Sequence, residues 1–353
     1  MLAHLALALL LYGGLHAQQP PRPSAPPNES GLTLYTGTSL VLVDVFTLDM
    51  KTGMPVRDLK RDDFQLFNDR IPVTVATFDS GARYDTRPVA LWLVTLCNMK
   101  DMVQWGSGLF LGKGSLFRPA LNHLDSHDTV GVAHWCDNGE ATIDLAPGPD
   151  ADQAIAALEK SLRPRDFNHP VCTAKLEESP CRAGEHALQT MLQLNLDNAR
   201  ITKPQPVPVI VFLYSDHSGM PAKEVEELID GVLETSGIAF GIKNSSLPEW
   251  PTHYYNTNER GSILHYLSEE TGGQYFRVPE DLYGTALEDI LLQLHLRYEL
   301  GFKPPAIDGK RHTLRVDLVG DAKNLHKSVR LRHRPEYVPM QESQPAGAPK
   351  TQP

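Results

Sequence analysis

His123 and His127 stand four residues apart with Asp125 between them, a spacing that sets two imidazoles on one helix face and could hold a divalent ion. The glutamate that would turn this pair into a hydrolytic HExxH centre is missing, so the two read as a solvated helix end. Asp216, His217 and Ser218 follow one another in LYSDHSG, bringing a carboxylate, an imidazole and a hydroxyl together. Ser218 lies outside any G-x-S-x-G elbow, and no acid and base are spaced to complete a nucleophilic triad. Asp216 closes the apolar run VPVIVFLYS and precedes Pro221, which fits a helix cap or loop anchor, with a ligand contact as the sharper alternative. Cys97, Cys136, Cys172 and Cys181 include no CxxC pair, and their irregular separations argue against zinc; if oxidised, they allow three pairings.

The compartment decides how those cysteines behave. The first seventeen residues, MLAHLALALLLYGGLHA, hold an apolar stretch from Leu5 to Tyr12 and give way to the polar, proline-rich QQPPRPSAPP. This is the outline of a secretory leader cleaved after Ala17, followed by a linker over 18–38. Secretion or a periplasmic location is therefore expected, with the cysteines as two disulfides. No later segment approaches the roughly 18 apolar residues of a membrane span, so no span is expected once the leader is removed. Lys and Arg total 33 against 43 Asp and Glu, a formal charge of -10, which provides no electrostatic footprint for nucleic acid. With 41% hydrophobic residues and 22% charged, the chain can bury a substantial core.

The elements that would position these residues follow from the patterning. Residues 39–80 alternate as strand, turn, strand, with Val41, Val43 and Val45 and then Val73 and Val75 on one face. The run Val89 to Leu96 is apolar at consecutive positions, as a parallel strand covered on both faces requires. From there amphipathic helices, the first over Phe110 to Leu124, alternate with short apolar strands through residue 296. The hairpin from TVGVAHWC into ATIDL supplies an antiparallel edge. Residues 297–337 return to period-two alternation, with turns at Ile307 to Lys310 and around Gly320. They are too few to fold alone. The predicted fold is an α/β domain over 87–296, a doubly wound and mostly parallel sheet. A small β-sandwich is built from the N- and C-terminal strands, and residues 338–353 form a disordered tail.

Taken in order, LVLVDVFTLDMKTGMPVRDLKRDDFQLFNDRIPVTVATF, VALWLVTLCNMKD, VFLYSD, EETGGQYFRV, LRYELGFKP and IDGKRHTLRVDL resemble the von Willebrand factor A (VWFA) fold. Within that fold they are similar to the acidobacterial VWFA-related proteins, over about Ser39 to Tyr337. The resemblance implies a divalent-ion site at the carboxyl ends of the strands, built from an Asp-x-Ser-x-Ser run, a threonine and an aspartate. Aligning Asn98-Met99 with the family's Ser-Met puts Val94, Leu96 and Asn98 on the first three ligand positions, with Thr173 and Asp216 for the others. Val94 and Leu96 offer no oxygen, so the resemblance implies a degenerate site with no metal, no cofactor and no catalytic residues. It further implies an exported, non-enzymatic interaction module that meets an unidentified protein through Asn98, Lys100, Asp216 and His217 on the rim. In a sheet of this type the first two strands are parallel neighbours, which implies Cys97 paired with Cys136 and Cys172 with Cys181. Two alternatives remain: an exported hydrolase using a rim His and Asp cluster, and a scaffold subunit of an envelope assembly.

Overall fold

The structure, a computed structural model, describes residues 40–81, 87–97, 114–136, 141–161, 206–214, 222–234, 236–245 and 263–339, all within one compact unit, Thr38–Pro353. The alternating valines form β1 (Val41–Asp49), with Val41, Val43 and Val45 buried on one side. Phe46, on the other side, joins a different core. The following segment, expected as a single strand, divides into β2 (Phe64–Asn68), β3 (Ile71–Val73) and β4 (Thr77–Asp79). The division comes from Asp69 and Arg70, which take φ of 48° and 70° and so make a tight two-residue hairpin with no glycine to announce it.

The apolar run becomes β5 (Val89–Cys97), followed by β6 (Thr129–Cys136), β7 (Ala141–Gly148), β8 (Val207–Tyr214), β9 (Ile238–Asn244) and β10 (Tyr275–Val278). These six form one sheet in the order β10-β9-β8-β5-β6-β7, parallel except for β7 at one edge. The helices are α1 (Arg118–Leu121), α2 (Ala151–Ser161), α3 (Ala222–Glu234), α4 (Ile263–Glu270) and α5 (Tyr283–His295). One face of the sheet, with Leu91, Leu93, Val130 and Val211, packs on Ile155 and Leu158 of α2 and Leu287 and Ile290 of α5. The other, with Trp92, Val94, Ile210 and Phe212, packs on Ile229 and Val232 of α3 and Leu267 of α4. Burial on both faces is the physical reason that β5 is apolar without alternation.

The helix expected over Phe110 to Leu124 is described only as a 3-10 turn, Gly114–Phe117, leading into α1. Pro119 at the start of α1 lacks the N–H that a longer helix would need there. After α4, Gly272 takes φ of +84°, and a Cβ on Gly273 would lie 1.7 Å from the Ala239 carbonyl oxygen. Both positions thus require glycine, one for conformation and one for close approach.

The chain ends in β11 (Tyr298–Phe302), β12 (His312–Leu318), α6 (Gly320–Leu325), β13 (Val329–Arg332) and β14 (Glu336–Tyr337). The turn expected around Gly320 is the start of the short helix α6. Two antiparallel sheets result, β13-β1-β11-β4 and β14-β12-β2-β3, and they enclose Val43, Val45, Leu66, Tyr298, Leu300, Phe302 and Val316. N- and C-terminal strands therefore complete each other's sheets in a small sandwich beside the α/β layers.

Buried charges join the two parts. Asp44 on the outward side of β1 accepts a 2.6 Å hydrogen bond from Arg297 Nε, with both side chains almost wholly buried. Arg297 also donates to the Leu294 and Arg87 carbonyls. Arg334 reaches from the sandwich to donate to the Leu42 carbonyl at 2.6 Å, the Leu233 carbonyl at 3.3 Å and Ser236 Oγ at 3.2 Å.

Within the sandwich, His312 is held by Asp69 at 2.7 Å and Asp308 at 3.0 Å, hydrogen bonds that raise its pKa above the ordinary value. A raised histidine pKa stabilises the fold fully below the unfolded value of about 6.5 and loses that contribution as pH rises through the folded value. The stability difference between the protein and His312→Asn is accordingly expected to shrink between pH 6 and pH 9 in urea titrations. A difference independent of pH would show that the two carboxylates do not hold the imidazolium.

Candidate functional site

The chain leaves β5 toward β6 and later returns to β8 on the opposite side, so the carboxyl ends of β5 and β8 flank the switch point where open α/β sheets commonly bind ligands. Val94, the first position on β5 that the resemblance makes a ligand, precedes Thr95 at this end of the strand. It is 0% exposed, lies between Ala133 of β6 and Phe212 of β8, and packs in the same apolar cluster as Trp92. Leu96 follows on the same strand, with its backbone in register with Trp135 and Tyr214. Neither position carries a side-chain oxygen, whereas a hard divalent cation demands several. Residues 94 and 96 therefore do not fit the cation that the resemblance would place there.

Cys97 ends β5 in direct register with Cys136 at the end of the parallel strand β6. Asn98, Lys100, Thr173, Asp216, His217, Ser218, Cys172 and Cys181 lie outside the described residues.

Just beneath the rim, on the α2 face, is a polar cluster that the sequence reading did not single out. Thr95 Oγ1 lies 2.5 Å from Ser161 Oγ and donates to the Ala133 carbonyl at 3.4 Å. His134, the register partner of Thr95, has Nδ1 2.5 Å from Asp144 Oδ2, and their side chains are 0% and 3% exposed. The available signal was a threonine and a histidine interrupting two otherwise apolar strands at positions that parallel pairing makes neighbours. Buried polar groups must be hydrogen-bonded, and these contacts meet that demand while tying α2 and the β6–β7 hairpin to the sheet. The short contact of the Ser161 hydroxyl is to Thr95, a pair of hydroxyls with no base in it. The cluster thus anchors the rim.

His123 and His127 do not converge. Both are exposed beyond the end of α1, with His123 Nε2 3.0 Å from Glu288 and His127 Nδ1 3.1 Å from Ser126 Oγ. Asp125 instead approaches Asp128 and His295 at the opposite, amino-terminal end of the sheet, the one grouping among the described residues with metal-ligand spacing. Asp128 already accepts from Val89 N–H at 2.7 Å and Asp125 N–H at 2.8 Å, and meets His295 Nε2 at 2.8 Å. Burial by itself would raise the Asp128 pKa, but these hydrogen bonds outweigh it and hold the carboxyl below its usual range. The group locks the start of β5, the turn before β6 and the end of α5 to one another.

No protein-family model matches this chain, and neither does any curated protein. Among solved structures it is similar to a von Willebrand factor type A protein from Catenulispora acidiphila, at 8% identity over 82% of this chain and 76% of that one, TM-score 0.38. It is also similar to the manganese-loaded TRAP protein of Plasmodium vivax, at 10% identity over 77% of this chain and 97% of that one, TM-score 0.38. BatB from Bacteroides thetaiotaomicron aligns at 14% identity over 58% of this chain and 97% of that one, TM-score 0.33. The α/β assignment rests on the strand order and helix placement of this chain itself. Among the described residues, no helix is long and apolar enough to cross a membrane.

Proposed function

We propose that this chain is an exported, non-enzymatic interaction module of the acidobacterial VWFA-related type, which meets a protein partner through the carboxyl rim of its six-stranded sheet without a metal ion. The observation that carries this reading is Val94, an aliphatic side chain wholly buried among Trp92, Phe212 and Ile229 where a metal-dependent rim needs a carboxylate. Asn98, Lys100, Asp216 and His217 then remain as the polar groups available to a partner. The test is capture from the native envelope by the mature protein, repeated in EDTA. Partner capture is expected to survive chelation and to fall at least tenfold in a Lys100→Glu, His217→Ala double variant with unchanged thermal stability. Capture abolished by EDTA, or indifferent to the rim variant, would refute the reading.

The same reading makes Cys97 and Cys136 a covalent tie across the rim. Register partners in adjacent strands fall within the Cα separations of about 4.4–6.8 Å that a disulfide spans, and the backbone register of β5 and β6 supports this pairing. Cys172 and Cys181 are then left to close a short local loop. Loop-closure entropy gives the shorter bridge roughly 2–3 kcal/mol and the longer one somewhat more. Non-reducing peptide mapping of exported protein should yield the 97–136 and 172–181 fragments. A fragment joining Cys97 to either of the other two cysteines, or four alkylatable thiols, would contradict it.

A further inference from the structure

Far from the rim, a cavity of about 220 Å³ opens where the sandwich meets the α/β layers, lined by Phe46, Leu48 and Pro55 on one side and by His265, Glu269 and Tyr275 on the other, with Arg330 and Arg332 from β13 between them. Arg332 is the unusual member. Its Nε donates to the Gly272 carbonyl at 3.1 Å, one terminal nitrogen to Gln274 Oε1 and the other to Gln293 Oε1 at 2.7 Å. All three acceptors are neutral, and among the described residues no carboxylate forms an ion pair with it. A guanidinium has five N–H groups in a fixed fork, so two remain beyond these three bonds. Burial, with a smaller contribution from the neighbouring Arg330 charge, lowers the Arg332 pKa to about 10. A desolvated cation without a counter-ion is costly, and a guanidinium matches a carboxylate in plane and spacing.

The other titratable groups facing the cavity do not supply that counter-ion. Glu269 is engaged with His265 Nε2 at 3.2 Å, and His265 stacks on Tyr275 with ring centroids 5.2 Å apart. The Phe46 ring lies 4.8 Å beneath the Arg332 guanidinium, giving an apolar wall next to the cation. We propose that this cleft binds a carboxylate-bearing group the size of an acidic side chain or a short dicarboxylate, with Arg332 pairing the carboxylate and Phe46 and Leu48 packing its methylenes. The volume is below the roughly 300 Å³ at which drug-sized ligands begin to fit, which limits the ligand to that size.

The test is thermal unfolding of the full chain at constant ionic strength with succinate, with the blocked tripeptide Ac-Gly-Glu-Gly-amide, and with inorganic phosphate. Either carboxylate is expected to raise Tm by about 3 °C at tenfold excess over its Kd. A response to the peptide assigns the cleft to acidic segments of a protein, and a response to succinate alone assigns it to a free dicarboxylate. No rise with either, or an equal rise with phosphate, would overturn the proposal. Gln293→Glu puts a carboxylate on Arg332 from within the fold. It is expected to raise the ligand-free Tm and to weaken carboxylate binding at least tenfold, whereas unchanged binding in this variant would also overturn the proposal. Because Gln293→Glu keeps the shape of the side chain and supplies the missing charge, folding is retained in the variant.

Discussion

Deleting residues 40–81 is expected to strip hydrogen-exchange protection from the amides of 298–302 and 329–332. The cause lies in strand order. β1 sits between β13 and β11, and β4 is the other neighbour of β11, so the deletion leaves β11 and β13 without a partner in their sheet. β12 likewise loses β2, along with Leu66 and Phe64 from the shared core. Isolated strands and hairpins are marginal in water, and the tail has no other apolar surface to cover Tyr298, Leu300 and Phe302. The α/β sheet should keep its protected amides at reduced stability, since Phe46 leaves its core as well. If residues 298–302 stayed as protected as in the full chain, the two terminal segments could not be completing a common sandwich.

Asp44→Ala is expected to cost about 3–5 kcal/mol, the usual range when one partner of a buried ion pair is removed. Arg297 would keep its bonds to the Leu294 and Arg87 carbonyls but lose the carboxylate at 2.6 Å, in a setting where its side chain is 3% exposed. Water cannot easily replace that carboxylate, because β1 and the end of α5 close over the pair. Asp44→Asn should cost less, since the amide oxygen still accepts from Nε. Urea titration of the three proteins orders them, and an Asp44→Ala penalty below about 1 kcal/mol, the scale of an exposed pair, would show that the pair is not desolvated.

What the sequence made legible was whatever one segment decides by itself. The apolar run of β5, interrupted by Thr95 alone, announced a strand covered on both faces, because a polar residue there must be satisfied inside the fold, as Thr95 is by Ser161. The alternating valines of β1 announced one inward face. Features that depend on partners distant in the chain were not legible. Asp44 and Arg297 are 253 positions apart, and nothing local to either marks it as buried. His134 and Asp144 meet only because β6 and β7 form a hairpin with a register irregularity between them. The Asp69-Arg70 turn was missed because a non-glycine pair adopts φ values that glycine and asparagine usually signal. Arg332 reads locally as one more exposed base in VRLRHR, and only the packing of β13 against the segment that follows α4 and against α5 gives it three neutral acceptors and, among the described residues, no anion.

The claim that this fold works without a metal at its rim is tested most directly by thermal unfolding of the protein in EDTA and in 10 mM Mg²⁺ or Mn²⁺. A ligand that binds only the native state must raise Tm by mass action. If Val94 and Leu96 stand where the resemblance places the ligands, the Tm in either metal is expected to match that in EDTA. A reproducible rise of several degrees, lost in Asp216→Ala, would contradict the account.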